Sequence, residues 1–293
     1  MELIHFIVTT FVIVDDFCKT IPARTLRTRG RLPQLADSEV ITMEIVGEYL
    51  GYANDKAIYK YFKRHWNYLF PAMPDRSNFA RQCANLWHVK KRFFDYLRRN
   101  HAQCLQIIDS MPLEVCKFVR ARRTHLFKDS ASYGKWFGQT YYGYRIHLKA
   151  TAQGMIQNFT LAPANIHDIR AVEELLDTDA NGWLLGDKGY RSHPLHLNLL
   201  HDRDIYLHTS VRRIDRKTSR LPKQTIRWFS GKRRLIETIA GQLEQRFTIK
   251  TTFARDLWHL VNRVIRKILA HTYCVFLNVK LKREPLNLES LVF

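Results

Sequence analysis

Leu105-Gln106-Ile107-Ile108-Asp109-Ser110-Met111-Pro112-Leu113 and Trp183-Leu184-Leu185-Gly186-Asp187-Lys188-Gly189-Tyr190 are the two stretches on which the fold of this chain turns. In each, a short apolar run stops at an aspartate. Such runs, bounded by turn residues, read as buried strands, so each acid is carried to a strand end by a segment that must go inside. Two ionised carboxylates brought together there are unfavourable unless a cation or hydrogen bonds compensate them. An oxygen-rich pair of this kind suits Mg²⁺ or Mn²⁺. Either aspartate alone caps a turn or a following helix more often than it binds metal; the pair is what points to chemistry.

Working outward, Tyr141 to Thr151 and Met155 to Leu161 flank Gln153-Gly154, a hairpin signature. A helix is expected over Ile169 to Leu176, a strand over Ile205 to Val211, and helix again from Ile226, first around Leu235 to Phe247 and then from Phe253 to about Lys280. The pattern is mixed α/β. The first hundred residues read as helical. Asp37 or Ser38 starts a helix ending near Gly51, Asn54 caps a second bearing Ile58, Tyr61 and Phe62, and a third runs from Ser77 through Phe79, Cys83, Leu86, Trp87, Phe94 and Leu97. The first two, joined through Gly51-Tyr52-Ala53, form either a helix-turn-helix presenting Lys56, Lys60, Lys63 and Arg64 to a major groove or an ordinary bundle with a solvated basic face.

The chain has 293 residues with 47 Lys+Arg against 27 Asp+Glu, a net charge of +20, yet 46% of it is hydrophobic. That excludes a disordered polycation and leaves a folded protein suited to a polyanion, nucleic acid or an anionic membrane surface. The net charge is +6 over residues 1–103, +1 over 104–211 and +13 over 212–293, so a nearly neutral middle lies between basic flanks. Arg212, Arg213, Arg216, Lys217, Arg220, Lys223 and Arg227 form the densest basic run and read as phosphate contacts. Arg120 to Tyr144 interleaves Arg120, Arg122, Arg123, Lys128 and Lys135 with Tyr133, Trp136, Tyr141 and Tyr142, either for backbone and stacking contacts or as a solvated loop with core aromatics. The five cysteines lack a Cys-x-x-Cys pair and read as reduced thiols. The apolar runs Leu3 to Val14 and Ile268 to Val279 are too short to span a bilayer, so no membrane role and a cytoplasmic location are expected.

A third carboxylate is available on the helix Arg233-Arg234-Leu235-Ile236-Glu237-Thr238-Ile239-Ala240-Gly241-Gln242-Leu243-Glu244. Ile236, Ile239, Ala240, Leu243 and Phe247 form its apolar face, with Glu237 and Glu244 together on the flank. Periodicity does not choose between them, and either can simply pair with Arg233, Arg234 or Arg246.

Taken in order, Ile107-Ile108-Asp109-Ser110-Met111-Pro112-Leu113, Ala164-Asn165-Ile166-His167-Asp168, Leu185-Gly186-Asp187-Lys188-Gly189-Tyr190 and Arg233-Arg234-Leu235-Ile236-Glu237-Thr238 resemble the DDE transposases of bacterial insertion sequences over roughly residues 105–275. The resemblance implies an RNase H-like mixed sheet with the first aspartate on the first strand, the second after the fourth, and the glutamate on a later helix. It makes Asp109, Asp187 and Glu237 the metal-binding catalytic triad for two Mg²⁺ or Mn²⁺ ions, the Arg233 to Glu237 spacing selecting Glu237 over Glu244. Lys188, Tyr190 and Arg233 become phosphate contacts beside Arg212, Arg213, Arg216 and Lys217. Ser110 reads as a turn or supporting hydroxyl, and His167-Asp168 as a polar turn before a helix or an added ligand. Several such families have a tyrosine where this chain has Ser230. The implied organisation is a helical DNA-end-binding domain over 1–103, the catalytic domain over 104–280 and a tail over 281–293. The implied activity is cleavage of double-stranded element ends and strand transfer to target DNA by a homodimer in the synaptic complex, on nucleoid DNA in the cytoplasm. The rival activities are a hydrolytic nuclease and a DNA-binding regulator with an inactive catalytic domain.

Overall fold

A computed structural model describes residues 1–22, 32–101, 103–176, 181–209, 222–251 and 253–292. Arg212, Arg213, Arg216 and Lys217 lie outside the described residues. The chain divides into two compact units, Met1–Arg99 with Gln242–Phe293, and Asn100–Gly241. Among the described residues no helix is long and apolar enough to cross a membrane.

The first unit is helical. α1 (Leu3–Lys19) packs on α2 (Asp37–Tyr49), which is followed by α3 (Asp55–His65), α4 (Arg76–Asn85) and α5 (Trp87–Arg98). Asn54 caps α3 by accepting from the Ala57 N–H at 2.9 Å, and Asp75 caps α4 by accepting from Ser77 and Asn78. The third expected helix is in fact two, because the chain breaks at Leu86 (φ −84°, ψ 11°). This break leaves Trp87 exposed, while Phe79, Cys83, Phe94 and Leu97 reach the core as their spacing predicts. Lys56, Lys60, Lys63 and Arg64 all lie on the exposed side of α3.

α2 is buried almost all round, with Val40, Ile41, Met43, Ile45 and Val46 fully enclosed. Yet it carries Glu44 and Glu48, one turn apart and each at most 1% exposed. Their charges are met from α5 and from α9 (Leu257–Lys280). Lys90 lies 3.0 Å from Glu44, Arg266 2.6 Å from Glu48 and 3.4 Å from Glu44, and Lys267 2.7 Å from Glu48. Arg266 also pairs with Asp55 at the start of α3. With Arg263 3.9 Å from Asp55, three acids thus meet four bases.

α9 packs on α2 and α5, so it belongs with the N-terminal helices, whereas the sequence division at residue 280 puts it in the catalytic domain. Tyr273 places its ring 6.3 Å from Phe6 and 6.4 Å from Phe93. Residues 281–293, expected as a tail, fold back on this unit. Leu288 and Leu291 are buried, Tyr49 Oη donates to the Leu288 carbonyl at 2.9 Å, and the Asn278 amide donates to Pro285 and Asn287.

The second unit is a mixed sheet flanked by helices. Its strands are β1 (Leu105–Glu114), β2 (Ser132–Trp136), β3 (Gln139–Thr151), β4 (Ile156–Pro163), β5 (Gly182–Gly186) and β6 (Ile205–Thr209). They are ordered β2-β3-β1-β5-β6, with β4 also paired to β3. β3 is antiparallel to β1, β2 and β4, while β1, β5 and β6 run parallel. Parallel neighbours need a crossover. α6 (Asp168–Leu175) precedes β5, and α7 (His193–Arg203) joins it to β6; Val172, Leu175, Leu195 and Leu199 pack with Ile108 and Leu184 on one sheet face. The short β2 makes Asp187 follow the fifth strand in chain order, where the resemblance implies the fourth. β2 pairs only with the first part of β3 and leaves the rest of the arrangement as implied.

On the other face Trp183 stacks on Tyr206 (5.3 Å). Phe229 of α8 (Lys223–Gln245) packs on Trp183 (5.3 Å) and His208 (4.7 Å). Ile236, Ile239, Leu243 and Phe247 are buried as the helical period requires.

Candidate active site

Asp109 sits midway along β1, not at its end. β1 stays paired with β3 as far as Glu114, but its pairing with β5 ceases at Ile107, opposite Leu185. On the β5 side, therefore, the acid emerges where the ladder stops. The parallel register is Leu105 with Trp183, Gln106 with Leu184 and Ile107 with Leu185. Carried two residues further at the same offset, it sets Asp109 beside Asp187. Strand alternation puts both on the Ile107 and Leu185 side of the sheet, the face that Trp183 turns to α8.

α8 brings the third acid. Steps of four residues along a helix advance by only about 40°, so Phe229, Arg233 and Glu237 form one stripe. With Phe229 seated on Trp183, the eight residues to Glu237 rise about 12 Å, against about 13 Å for the four strand residues from Trp183 to Asp187. The helix therefore delivers its polar residues at the level of the strand end. Arg233 Nη2 lies 3.4 Å from Asp187 Oδ1 and 3.9 Å from Glu237 Oε1. Glu237 and Asp187 are 62% and 49% exposed, open to a ligand from solvent. Glu244, by contrast, lies 2.6 Å from Lys250.

Burial is the main influence on Asp109 and pushes its carboxyl up to about 6, helped by the charges of Asp187 and Asp168. The Ser110 N–H, which donates to Oδ1 at 2.8 Å, and Arg233 act the other way. An acid held above its unfolded value destabilises the fold once ionised. That cost is absent below pH 3.8 and fully developed above about pH 6. Replacing Asp109 by Asn should therefore raise the stability of the chelator-treated protein at pH 7–8 by about 1–3 kcal/mol and change it little at pH 4. Urea melts at the two pH values check this; equal effects at both would mean that the carboxylate charge is not what burial penalises.

The opposite sheet face holds a second polar group. Asp168, at the first turn of α6, accepts from Arg145 Nη1 at 2.8 Å and from Ser110 Oγ at 3.2 Å, with His147 Nδ1 3.7 Å away. A Cβ on Gly189 would meet Asp168 Oδ2 at 2.5 Å. Asp168 thus touches both segments that carry the paired aspartates, Ser110 next to Asp109 and Gly189 two residues after Asp187. Burial pulls His147 down to about 4, so it is neutral at physiological pH, with Nδ1 3.5 Å from Tyr190 Oη. Arg145 and His147 are not among the residues singled out from sequence. Their signal is a polar residue at alternate positions of an otherwise apolar strand, Arg145, His147 and Lys149.

Tyr190, expected at DNA, is a core residue, 1% exposed and packed in the α6–α7 cluster, because the short turn after Asp187 rolls it inward beneath Gly186. Lys188 is exposed. Tyr141 and Tyr142, 4% and 7% exposed, are core residues; Tyr142 Oη donates to the Phe127 carbonyl and its ring lies 5.0 Å from Tyr133.

The donor set fits a divalent metal. The three acids offer hard oxygen ligands, and the Arg233 side chain lies between two of them with the positive charge that such a site calls for. Among the described residues only Glu44, Asp55 and Cys83 bring three metal-type ligand atoms within 4.8 Å of one another, so Asp109, Asp187 and Glu237 stand wider than that. The Glu44 group is already compensated by Lys90 and Arg266, and burial holds the Cys83 thiol well above its usual range.

A family model for the transposase DDE domain matches residues 99–257. No curated protein and no solved structure matches the chain. The match covers more than half of the sequence and spans the sheet, Asp109, Asp187 and the glutamate of α8. This chain belongs to the transposase DDE domain family.

Proposed function

We propose that the protein is an insertion-sequence transposase in which Asp109, Asp187 and Glu237 together hold two Mg²⁺ or Mn²⁺ ions, cleaving element ends and joining them to target DNA. The observation that carries this reading is the β1–β5 register that sets Asp109 beside Asp187, with Arg233 linking Asp187 to Glu237. When bound there, the ions would supply Lewis-acid activation of the attacking water or 3′-hydroxyl and charge stabilisation of the leaving 3′ oxygen. The chain's own residues prepare the site. The Ser110 N–H fixes the Asp109 carboxylate, Phe229 seats α8, and Arg233 holds Asp187 and Glu237 on one side of the sheet. Lys188 contacts phosphate next to Asp187. Lys56, Lys60, Lys63 and Arg64 on α3 take the backbone of the end duplex, and two copies of the chain synapse two ends. The setting is chromosomal DNA in the cytoplasm.

Incubation of labelled duplex ends with a supercoiled target and Mg²⁺ tests the reading, with end-joined target as the expected product. Nicked or cut ends without joining would make the protein a hydrolytic nuclease. Specific end binding with no metal-dependent cleavage would make it a regulator.

Phosphate contact should also make binding steeply salt-dependent, because each neutralised phosphate releases counterions. Replacing Arg212, Arg213, Arg216 and Lys217 by Gln together should flatten the slope of log affinity against log salt by up to about 3.6. All duplexes should weaken alike, since phosphate contacts position without reading sequence. Fluorescence anisotropy with end and random duplexes measures both. An unchanged slope removes this run from the interface.

A further inference from the structure

β2 and β3 are joined by Phe137-Gly138 alone, with Trp136 paired to Gln139. Both turn residues have positive φ, 46° and 80°, a two-residue turn that matches strand twist and that Asn-Gly ordinarily fills. A phenylalanine here is out of place on conformational grounds, and it buries nothing: it is 92% exposed, more than any other large hydrophobic residue described. Its position is nevertheless fixed. The Trp136 ring packs edge-on at 5.2 Å, Arg145 lies over Trp136 at 6.0 Å, and Arg145 is itself held by Asp168 beside the paired aspartates.

We infer that Phe137 is an apolar wedge that inserts between stacked base pairs of the DNA bound by this transposase. The inference rests on the reading of the chain as a DNA transposase. Charge decides the partner. From residue 115 to 145 the only acid is Asp129, against Lys117, Arg120, Arg122, Arg123, Lys128, Lys135 and Arg145, and all of these bases except Arg145 are exposed. A second copy of the same strongly basic surface would be repelled, whereas a duplex neutralises the bases and offers stacked rings to an exposed aromatic. From sequence, stacking or a core role is open for Tyr133, Trp136, Tyr141 and Tyr142; Tyr141 and Tyr142 are core, Tyr133 is 45% exposed, and Phe137 at 92% is the most exposed aromatic of the hairpin. Eleven residues of β3 separate Phe137 from Leu148, the partner of Asp109, so the tip stands roughly 35 Å from the acids along the strand. Wedging therefore distorts DNA about one helical turn from the cleaved phosphate, away from the chemistry itself.

The test uses full-length protein and duplexes taken from the DNA bordering its coding frame, each carrying one 2-aminopurine at successive positions from the end. Binding by the wild-type chain should raise fluorescence at a narrow set of positions. Phe137→Ala and Phe137→Ser should abolish that rise and weaken binding about tenfold, while Phe137→Trp should retain both. The residue is exposed, so thermal melts of the variants should overlay the wild type. Cleavage without a fluorescence rise at any position, or a rise that persists in Phe137→Ala, overturns the wedge and leaves the transposase reading standing. Failure to bind or cleave DNA at all sinks that reading first. A change in oligomeric state on Phe137→Ala, by light scattering, with the fluorescence unaltered, would make the tip a protein contact instead and overturn the inference.

Discussion

Asp187→Asn, Asp109→Asn and Glu237→Gln proteins should each bind element ends as the wild type does and lose metal-dependent cleavage and strand transfer by about a thousandfold or more. Each change keeps side-chain size and removes one charge from the proposed ligand set, whose chemistry would be to hold cations against developing oxyanions. Binding should survive because the basic residues proposed to contact DNA, on α3, around the β2–β3 hairpin and from Arg212 to Lys217, are not the residues changed. Glu244→Gln serves as the internal control and should stay within a few fold of wild type. Glu244 lies two turns, about 10.5 Å, further along α8 and is tied to Lys250 at 2.6 Å. Gel assays of end cleavage in Mg²⁺, with filter binding in parallel, separate the outcomes. An active Glu237→Gln beside a folded, inactive Glu244→Gln would exchange the two glutamates. Activity in both would leave Asp168 as the next acid to examine, since it touches Ser110 and crowds Gly189.

Arg266→Ala should destabilise the helical unit by about 3–5 kcal/mol, lowering its melting transition by roughly 10 °C. Arg266 is 2% exposed and serves Glu44, Glu48 and Asp55 at once. Deleting it leaves Glu44 and Glu48, each at most 1% exposed, with one partner fewer in the core. Adding Glu48→Gln to Arg266→Ala should recover part of the loss, because the pair fails together and not independently. Differential scanning fluorimetry on the single and double variants measures this. A melting point within about 2 °C of wild type for Arg266→Ala would show that Lys90 and Lys267 suffice for the acids.

Most elements were legible because their signals are local. Gln153-Gly154 does mark the β3–β4 hairpin, with Gly154 at φ 92°. Asn54 does cap α3, and the apolar stripe from Ile236 to Phe247 is buried as drawn from its period. What local signals missed was short or paired at a distance. β2 is five residues long and has no alternation of its own to announce it; it exists because β3 offers an edge. The break at Leu86 also escaped notice, since the same apolar residues satisfy one long helix or two short ones.

The sequence by itself determined which acids carry the apolar strand contexts, that the chain is strongly basic around a neutral centre, and that the order of motifs is that of a DDE transposase. These follow from residue type and spacing, which burial reads directly. The tertiary structure alone decided the rest. Asp109 neighbours Asp187 through strand register, a property of two segments and not of either. Arg145 and His147 on β3 meet Asp168 at the first turn of α6. Tyr190 turns inward and Phe137 outward although both are aromatic residues beside glycines. Glu44, Glu48, Arg266 and Lys267 are buried, against the expectation for each taken singly, because four charges that would be excluded one by one are tolerated once geometry pairs them. Pairing energy depends on three-dimensional distance, and no residue carries that in its own identity.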